Sequence, residues 1–277
     1  MSGFAVTGLC SAELSMFRSK GRNQMEFKRS ILSAAIVGAT VFSSTAAAET
    51  SVNAGFMSDY LFRGIPQSGG TAAFGGIDYA DASGFYAGAW AAQIGFAGGA
   101  GGAGSELDLY AGFSGESETL GYDFGAIYYY YSEEDEAVSS ANEPDPSNNT
   151  FELYGSLSAG MFSLGLYFAP DTYFSFDGEA IGISVGFSAP ITDAMTFDVS
   201  LQHNSGDGNE LILQSLGSTD DSYIDYSIGI NAESESGLFM GLSLVGTDIE
   251  SPNAFGPGDD FEDEMKVIVS GGFAFDI

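Results

Sequence analysis

Basic side chains are what this sequence most conspicuously lacks: 7 Lys and Arg stand against 38 Asp and Glu. Arg18, Lys20, Arg22, Lys28 and Arg29 crowd the start, so only Arg63 and Lys266 remain for everything downstream. That shortage excludes nucleic acid as a partner, because holding phosphates takes positive charge. The single cysteine, Cys10, excludes a disulfide framework. Long apolar runs are missing too, and past the N-terminal leader none approaches the ~20 residues of a transmembrane helix. Acidity with few apolar residues would mean disorder. Here 44% hydrophobic and 14% aromatic content argues for an ordered fold.

The first 48 residues read as a leader, with a signal-peptide core near 25–48. From Met25 the chain runs MEFKRS, then ILSAAIVGATVFSST, then AAAET. A short basic head, an apolar stretch and an Ala-x-Ala exit form the order of a secretory signal. Cleavage is expected after Ala48, leaving residues 49–277 as a single domain.

What fills that domain is alternation. In SELDLYAGFS, Leu107, Leu109, Ala111 and Phe113 fall on one face, and Glu106, Asp108, Tyr110 and Gly112 on the other. Period two marks a strand, because successive side chains point to opposite faces. About twelve such segments follow one another, near 51–63, 73–80, 85–95, 105–114, 120–132, 150–159, 162–169, 179–188, 194–203, 222–231, 237–247 and 265–277. Short turns such as DASG and APITD alternate with long polar loops such as SEEDEAVSSANEPDPSNN. Tight turns at one end and long loops at the other predict an all-β fold, a transmembrane antiparallel up-and-down β-barrel of about twelve strands. Closure removes sheet edges that lipid would not tolerate.

Charge placement agrees with that reading. With the apolar faces turned to lipid, Asp59, Arg63, Asp78, Glu106, Asp108, Asp123, Glu152, Asp198, Asp225, Lys266 and Asp276 all fall inward. An outward Arg or Lys would cost about 2–4 kcal/mol at the midplane. The aromatics Tyr128 to Tyr131, the Trp90 region and Phe273 with Phe275 are expected at the membrane–water boundary.

The stretch SDYLFRGIPQS, followed by GGIDYADASGFYAGAWAAQI, resembles the start of the TorF-family porins, also known as the Gcw_chp family of proteobacterial proteins. Ser58, Asp59, Tyr60, Arg63 and Gly64 match its S-D-Y-x-x-R-G element. Gly76, Asp78 and Tyr79 match G-x-D-Y, and Gly84, Tyr86, Gly88 and Trp90 match G-x-Y-x-G-x-W. The match spans about 45 residues; Pro66 departs from it where a serine is expected, and Ile277 ends the chain where barrels usually carry an aromatic. The resemblance implies a channel in the outer membrane of a Gram-negative bacterium, without naming a solute.

Inward faces of Gly, Ser, Ala, Tyr and carboxylates predict an open or narrowly gated aqueous channel, and no segment reads as an inserted plug domain. Nine acids against two bases favour cations. Partners follow from the class: outer-membrane lipid and lipopolysaccharide, the assembly machinery, and small hydrophilic solutes. Arg63 and Lys266 are expected as neighbours at one wall of the mouth. There they would set a transverse field, or Arg63 would instead pin the first loop through a bidentate pair with a carboxylate. His203 and Ser205 share the lipid-facing side of one strand and resemble the H-x-S of an outer-membrane lipid hydrolase. Without a recognisable orienting residue, that activity is a remote alternative, and no enzyme is expected. A second alternative is a non-conducting barrel whose acidic outer loops bind a partner. The runs at 133–136 and 259–264 could gather Ca²⁺ or Mg²⁺ weakly, but they lack the spacing of a dedicated site; GGAGGAGSELD reads as a flexible loop. No metal site and no cofactor are expected.

Overall fold

A computed structural model describes residues 48–95, 104–117, 119–132, 148–250 and 265–277. The expected leader up to residue 47, most of the glycine-rich run, and both acidic runs lie outside the described residues.

In chain order the strands are β1 (Glu49–Met57), β2 (Leu61–Phe62), β3 (Ile65–Pro66), β4 (Ala72–Ala80), β5 (Phe85–Ile94) and β6 (Gly104–Ser117). Then come β7 (Leu120–Tyr131), β8 (Thr150–Ala159), β9 (Phe162–Ala169), β10 (Thr172–Tyr173), β11 (Phe176–Asp177) and β12 (Ala180–Thr192). β13 (Met195–Ser205), helix α1 (Asp207–Ser215), β14 (Tyr223–Glu233), β15 (Leu238–Thr247) and β16 (Lys266–Asp276) complete the order. Twelve of these strands form one closed antiparallel barrel, each paired with its chain neighbour and β16 returning to β1. No helix among the described residues is long and apolar enough to cross a membrane, which says nothing about crossing by strands.

Alternation sets the two walls. On β12, Ile183 and Val185 point outward, 53% and 52% exposed, while Gly182 between its outward neighbours is buried. The same register gives an outer belt that includes Leu109, Phe124, Leu164, Leu201, Leu242 and Val269. Such a belt suits lipid and would be unfavourable in water. Tight turns close one end. At Asp81–Gly84 the Asp81 carboxylate accepts from the Ser83 amide at 2.7 Å, and Gly84 takes a φ of 88° that favours glycine. In an outer-membrane barrel the tight-turn end is the periplasmic one and the long-loop end the outer mouth, and the two ends are named in that sense below.

Two expectations need correcting. The first segment does not continue to residue 63: β1 ends at Met57, and the chain turns in at Ser58, whose amide donates to the Val269 carbonyl at 2.8 Å. Asp59 and Arg63 therefore sit in the first loop rather than on a barrel strand. The aromatics also divide by parity. Tyr128, Tyr130, Phe273 and Phe275 face out, but Tyr129 and Tyr131 face in at 3% and 4% exposure. Trp90 also faces the lumen, edge-on to Tyr60 with ring centroids 5.5 Å apart, so it is not a boundary anchor.

The interior is unequal along its axis. Toward the periplasmic end, inward Ser163 and Ser188 stay exposed. Toward the outer mouth, inward Ala169, Ala180, Asn204 and Thr150 are fully buried. The loops of that end have folded into the bore.

Candidate functional site

Two small hairpins and one helix fill the outer half of the lumen. β2 and β3 are joined by Arg63-Gly64, β10 and β11 by Phe174-Ser175, and all four residues have positive φ. That backbone is the requirement of a type I′ turn, which matches the twist of its flanking strands. Gly64 also needs its missing side chain, because a Cβ there would run into Thr247 and come within 3.2 Å of Asp225. The two tips meet: Phe62 and Phe174 lie edge to face at 5.4 Å. α1 packs behind them, with Leu213 buried against Tyr223, Ile249 and Ile65. The expectation of no inserted plug fails at this end, where the bore is filled rather than open. No long insert announces the filling, because it is made of short pieces of three loops.

Arg63 holds the plug. Its Nη2 donates to both Glu152 oxygens at 2.8 Å, and its Nη1 donates to the Tyr173 hydroxyl at 2.5 Å. The guanidinium lies 3.2 Å from the Tyr167 ring centroid and 4.5 Å from that of Phe62. Arg63 is 3% exposed and Glu152 0%. Around the ring, four strands separate β1 from β8 on one side and six on the other, so this contact crosses the bore. The pinning pair with a lumen carboxylate weighed from the sequence is present, made by one guanidinium nitrogen rather than by a two-nitrogen fork, whereas the neighbouring of Arg63 and Lys266 is not. Lys266 stays on its own wall and reaches Asp59 at 3.4 Å, a longer and partly exposed pair. The reason is the inward turn at Ser58, which carries Arg63 away from β16.

Most of the other predicted carboxylates lie where parity put them and face neutral donors. Asp123 accepts from the Tyr86 hydroxyl at 2.6 Å, and Asp78 accepts from Tyr110. Asp225 accepts from Asn204 at 2.8 Å and from Gln202 at 3.2 Å. Asp198 accepts from Thr196 at 2.7 Å and Asn231 at 3.0 Å. Glu106 accepts from Tyr60. Asp276 lies exposed at the periplasmic end. Tyrosines give this wall its shape. Across β5 and β6, Tyr110 lies over Gly88 and Tyr86 over Gly112, so that a Cβ at either glycine would come within 2.5 Å of the ring or its hydroxyl. Tyr154 over Gly125 and Tyr167 over Gly182 repeat the arrangement.

The family-motif residues divide among these tasks. Tyr60, Arg63 and Gly64 build the first hairpin, Asp78 and Tyr86 join the tyrosine–carboxylate wall, and Gly88 receives a ring. Tyr79 faces outward. Ser58 supplies the turn, donating through its backbone to Val269 and accepting the Val269 amide on its hydroxyl at 3.0 Å. Gly76 seats its Cα against Trp90 and Asn53. Sequence reasoning missed Tyr129, Tyr167 and Tyr173, the aromatic surround of Arg63. For Tyr129 and Tyr167 the inward parity of an aromatic was the available signal; Tyr173 had none, since it lies in a loop.

His203 is exposed on the outer face, as parity indicated. Asn209 donates to the Ser205 carbonyl at 2.8 Å and to the Tyr167 hydroxyl at 3.2 Å, not to His203. Among the described residues no cluster of three or more His, Cys, Asp or Glu is arranged to hold a metal.

Several solved structures are similar in outline. The KdgM porin is 10% identical, with 82% of this chain and 98% of that one covered at a TM-score of 0.48. The KdgM porin in complex with disordered oligogalacturonate is 11% identical, covering 83% and 99%, also at 0.48. The outer membrane protein OprD from Pseudomonas aeruginosa is 12% identical, covering 83% and 66%, at 0.39. No curated protein matches the sequence. The model of one family, described as bacterial protein of unknown function (Gcw_chp), matches residues 42–273, and the chain belongs to that family.

Proposed function

We propose that this protein is an outer-membrane channel for small hydrophilic solutes, of the porin kind, with a preference for cations. The observation that carries the reading is the opposition of the two walls: a closed barrel, apolar outside, encloses a lumen lined by hydroxyls, amides and carboxylates. The two bases beyond the leader are each engaged by an acid, Glu152 and Asp59. Asp78, Glu106, Asp108, Asp123, Asp198 and Asp225 have no base to match them among the described residues. Fixed negative charge along a narrow path favours cations, and at a Debye length of about 8 Å such charges act together across a small lumen.

The filled outer half makes the hairpins and α1 a gate in this reading, with the periplasmic half a vestibule. The same filling favours a second reading, a non-conducting barrel that binds a partner through its outer loops. The reversal potential of the purified protein in a planar bilayer across a KCl gradient separates them. A cation-selective potential supports the channel and its acidic lining. An anion-selective one overturns the cation preference, and a folded barrel that never conducts, even when Arg63 is replaced, points to the binding role.

A further inference from the structure

Asp78 on β4, Asp123 on β7 and Asp198 on β13 all face the lumen near the tight-turn ends of their strands. Their surroundings differ. Asp78 is capped by the Tyr110 hydroxyl, and Asp123 by that of Tyr86, which also meets the Tyr154 hydroxyl at 2.6 Å. The three rings lie over Gly112, Gly88 and Gly125 and leave Asp78 and Asp123 buried. A solute in the bore meets phenols on this wall rather than charge.

Asp198 faces the bore from the other side, four strands from β7 and five from β4 around the ring. It is partly exposed. Its two donors, Thr196 at 2.7 Å and Asn231 at 3.0 Å, share one oxygen, Oδ2. Oδ1 has no protein donor among the described residues. No ring covers the carboxylate either: its cross-strand partners are Ser188 on β12, which is exposed, and Gly229 on β14. Gly186, Ser200 and Ser227 continue the same small-residue wall. Small residues leave open volume along β12 to β14, whereas tyrosines occupy it along β5 to β8. Glu116, Glu233 and Asp276 stand at strand ends, nearer bulk water, where salt screens them more.

We propose that Asp198 is the residue that selects for cations in the periplasmic half of the lumen. Solutes pass along the wall of β12 to β14, within reach of its free oxygen, while Asp78 and Asp123 hold the tyrosines of the opposite wall in place. Coulomb energy falls with distance and with the water between charges, so the carboxylate beside the path outweighs those beneath the rings. As the selectivity residue of a channel, Asp198 rests on the reading above; as the charge that governs entry to the vestibule, it does not.

Cys10 is the only cysteine of the chain, so with Cys10→Ser a single new thiol reports its own position. Ser188→Cys places that thiol directly across from Asp198, at about 5 Å between Cβ atoms. The folded protein in detergent at low salt is reacted with a trimethylammonium-ethyl methanethiosulfonate, a cation, and with the sulfonatoethyl reagent, an anion. Relative to a small thiol in solution, the ratio of the two rates is expected to favour the cation by about threefold or more. Any change in ionisation of the thiol acts on both reagents alike and cancels. Asp198→Asn, which keeps the shape, should remove most of that preference, and Asp123→Asn should leave it. In a planar bilayer across a KCl gradient, Asp198→Asn should move the reversal potential toward zero and Asp123→Asn should not. A rate ratio unchanged by Asp198→Asn, or changed equally by Asp123→Asn, would overturn the proposal whether or not the barrel conducts. A conducting barrel whose reversal potential ignores Asp198→Asn would overturn it as well. A silent bilayer with the expected rate ratios refutes the channel alone and leaves Asp198 in charge of entry to the vestibule.

Discussion

Removing both charges of the Arg63–Glu152 pair should harm the protein less than the sum of removing either. In Arg63→Met the Glu152 carboxylate, 0% exposed, loses its counter-charge and two bonds of 2.8 Å. In Glu152→Gln the guanidinium is stranded at 3% exposure. Leaving one member of a buried pair uncompensated costs about 3–5 kcal/mol. The double variant leaves neither charge, and replacing both is often close to neutral. The arginine also gives up its contact with the Tyr167 ring, roughly 2 kcal/mol when desolvated, in both variants that lack it, so this cancels from the coupling. A coupling energy of about 2 kcal/mol or more is therefore expected, read from urea unfolding of the protein refolded into lipid vesicles. Because the plug can open while the barrel stays folded, amide exchange over residues 58–71 supplies the local reading, with faster exchange in both single variants. Additivity within about 0.5 kcal/mol, with exchange unchanged, would refute the view that this pair holds the plug.

The second pair should behave differently: Lys266→Met at the partly exposed 3.4 Å contact with Asp59 is expected to cost no more than about 1 kcal/mol in the same unfolding assay. Gly88→Ala should lose about 1–3 kcal/mol, because the new carbon meets the Tyr110 ring at 2.5 Å, and Tyr110→Ala in the same chain should recover part of it. On β12, Val185→Lys faces lipid and is expected to cost about 2–4 kcal/mol if near the midplane, while Ser184→Lys one residue away faces the lumen and should cost far less. Equal losses at the two positions would contradict the assigned faces.

The wall of the barrel was legible because a strand writes its two faces in alternate residues, and here one face is lipid and the other polar. Leu107 to Phe113 needed nothing but their own order to be placed. The plug was not legible, for a reason equally physical. In SDYLFR, Tyr60 and Phe62 keep the outward parity of β1 and Asp59 and Arg63 the inward one, so little local separates a strand that continues from a chain that turns inward. What decides it is Ser58 bonding to Val269, and Arg63 meeting Glu152 and Tyr173, partners 89 and 110 positions away. Trp90 was misplaced by residue type: a ring near a strand end suggested the membrane boundary, while its even parity with Tyr86 and Gly88 already pointed inward. The pairing of tyrosines with glycines could have been found from the sequence only once the register between strands was known.

The reach of Arg63 bears on the order in which the molecule is assembled. Each wall strand pairs with its sequence neighbour, apart from the single closure of β16 on β1, so the wall grows from contacts close in sequence. The plug is the opposite case: its first hairpin is made early in the chain, but its anchors belong to β8 and to the hairpin β10–β11. Bringing such distant segments together carries a larger loop-closure entropy and comes late. The nascent barrel thus passes through a stage with an unsealed bore and a free N-terminal arm, and sealing is a separate, later step than closure of the wall.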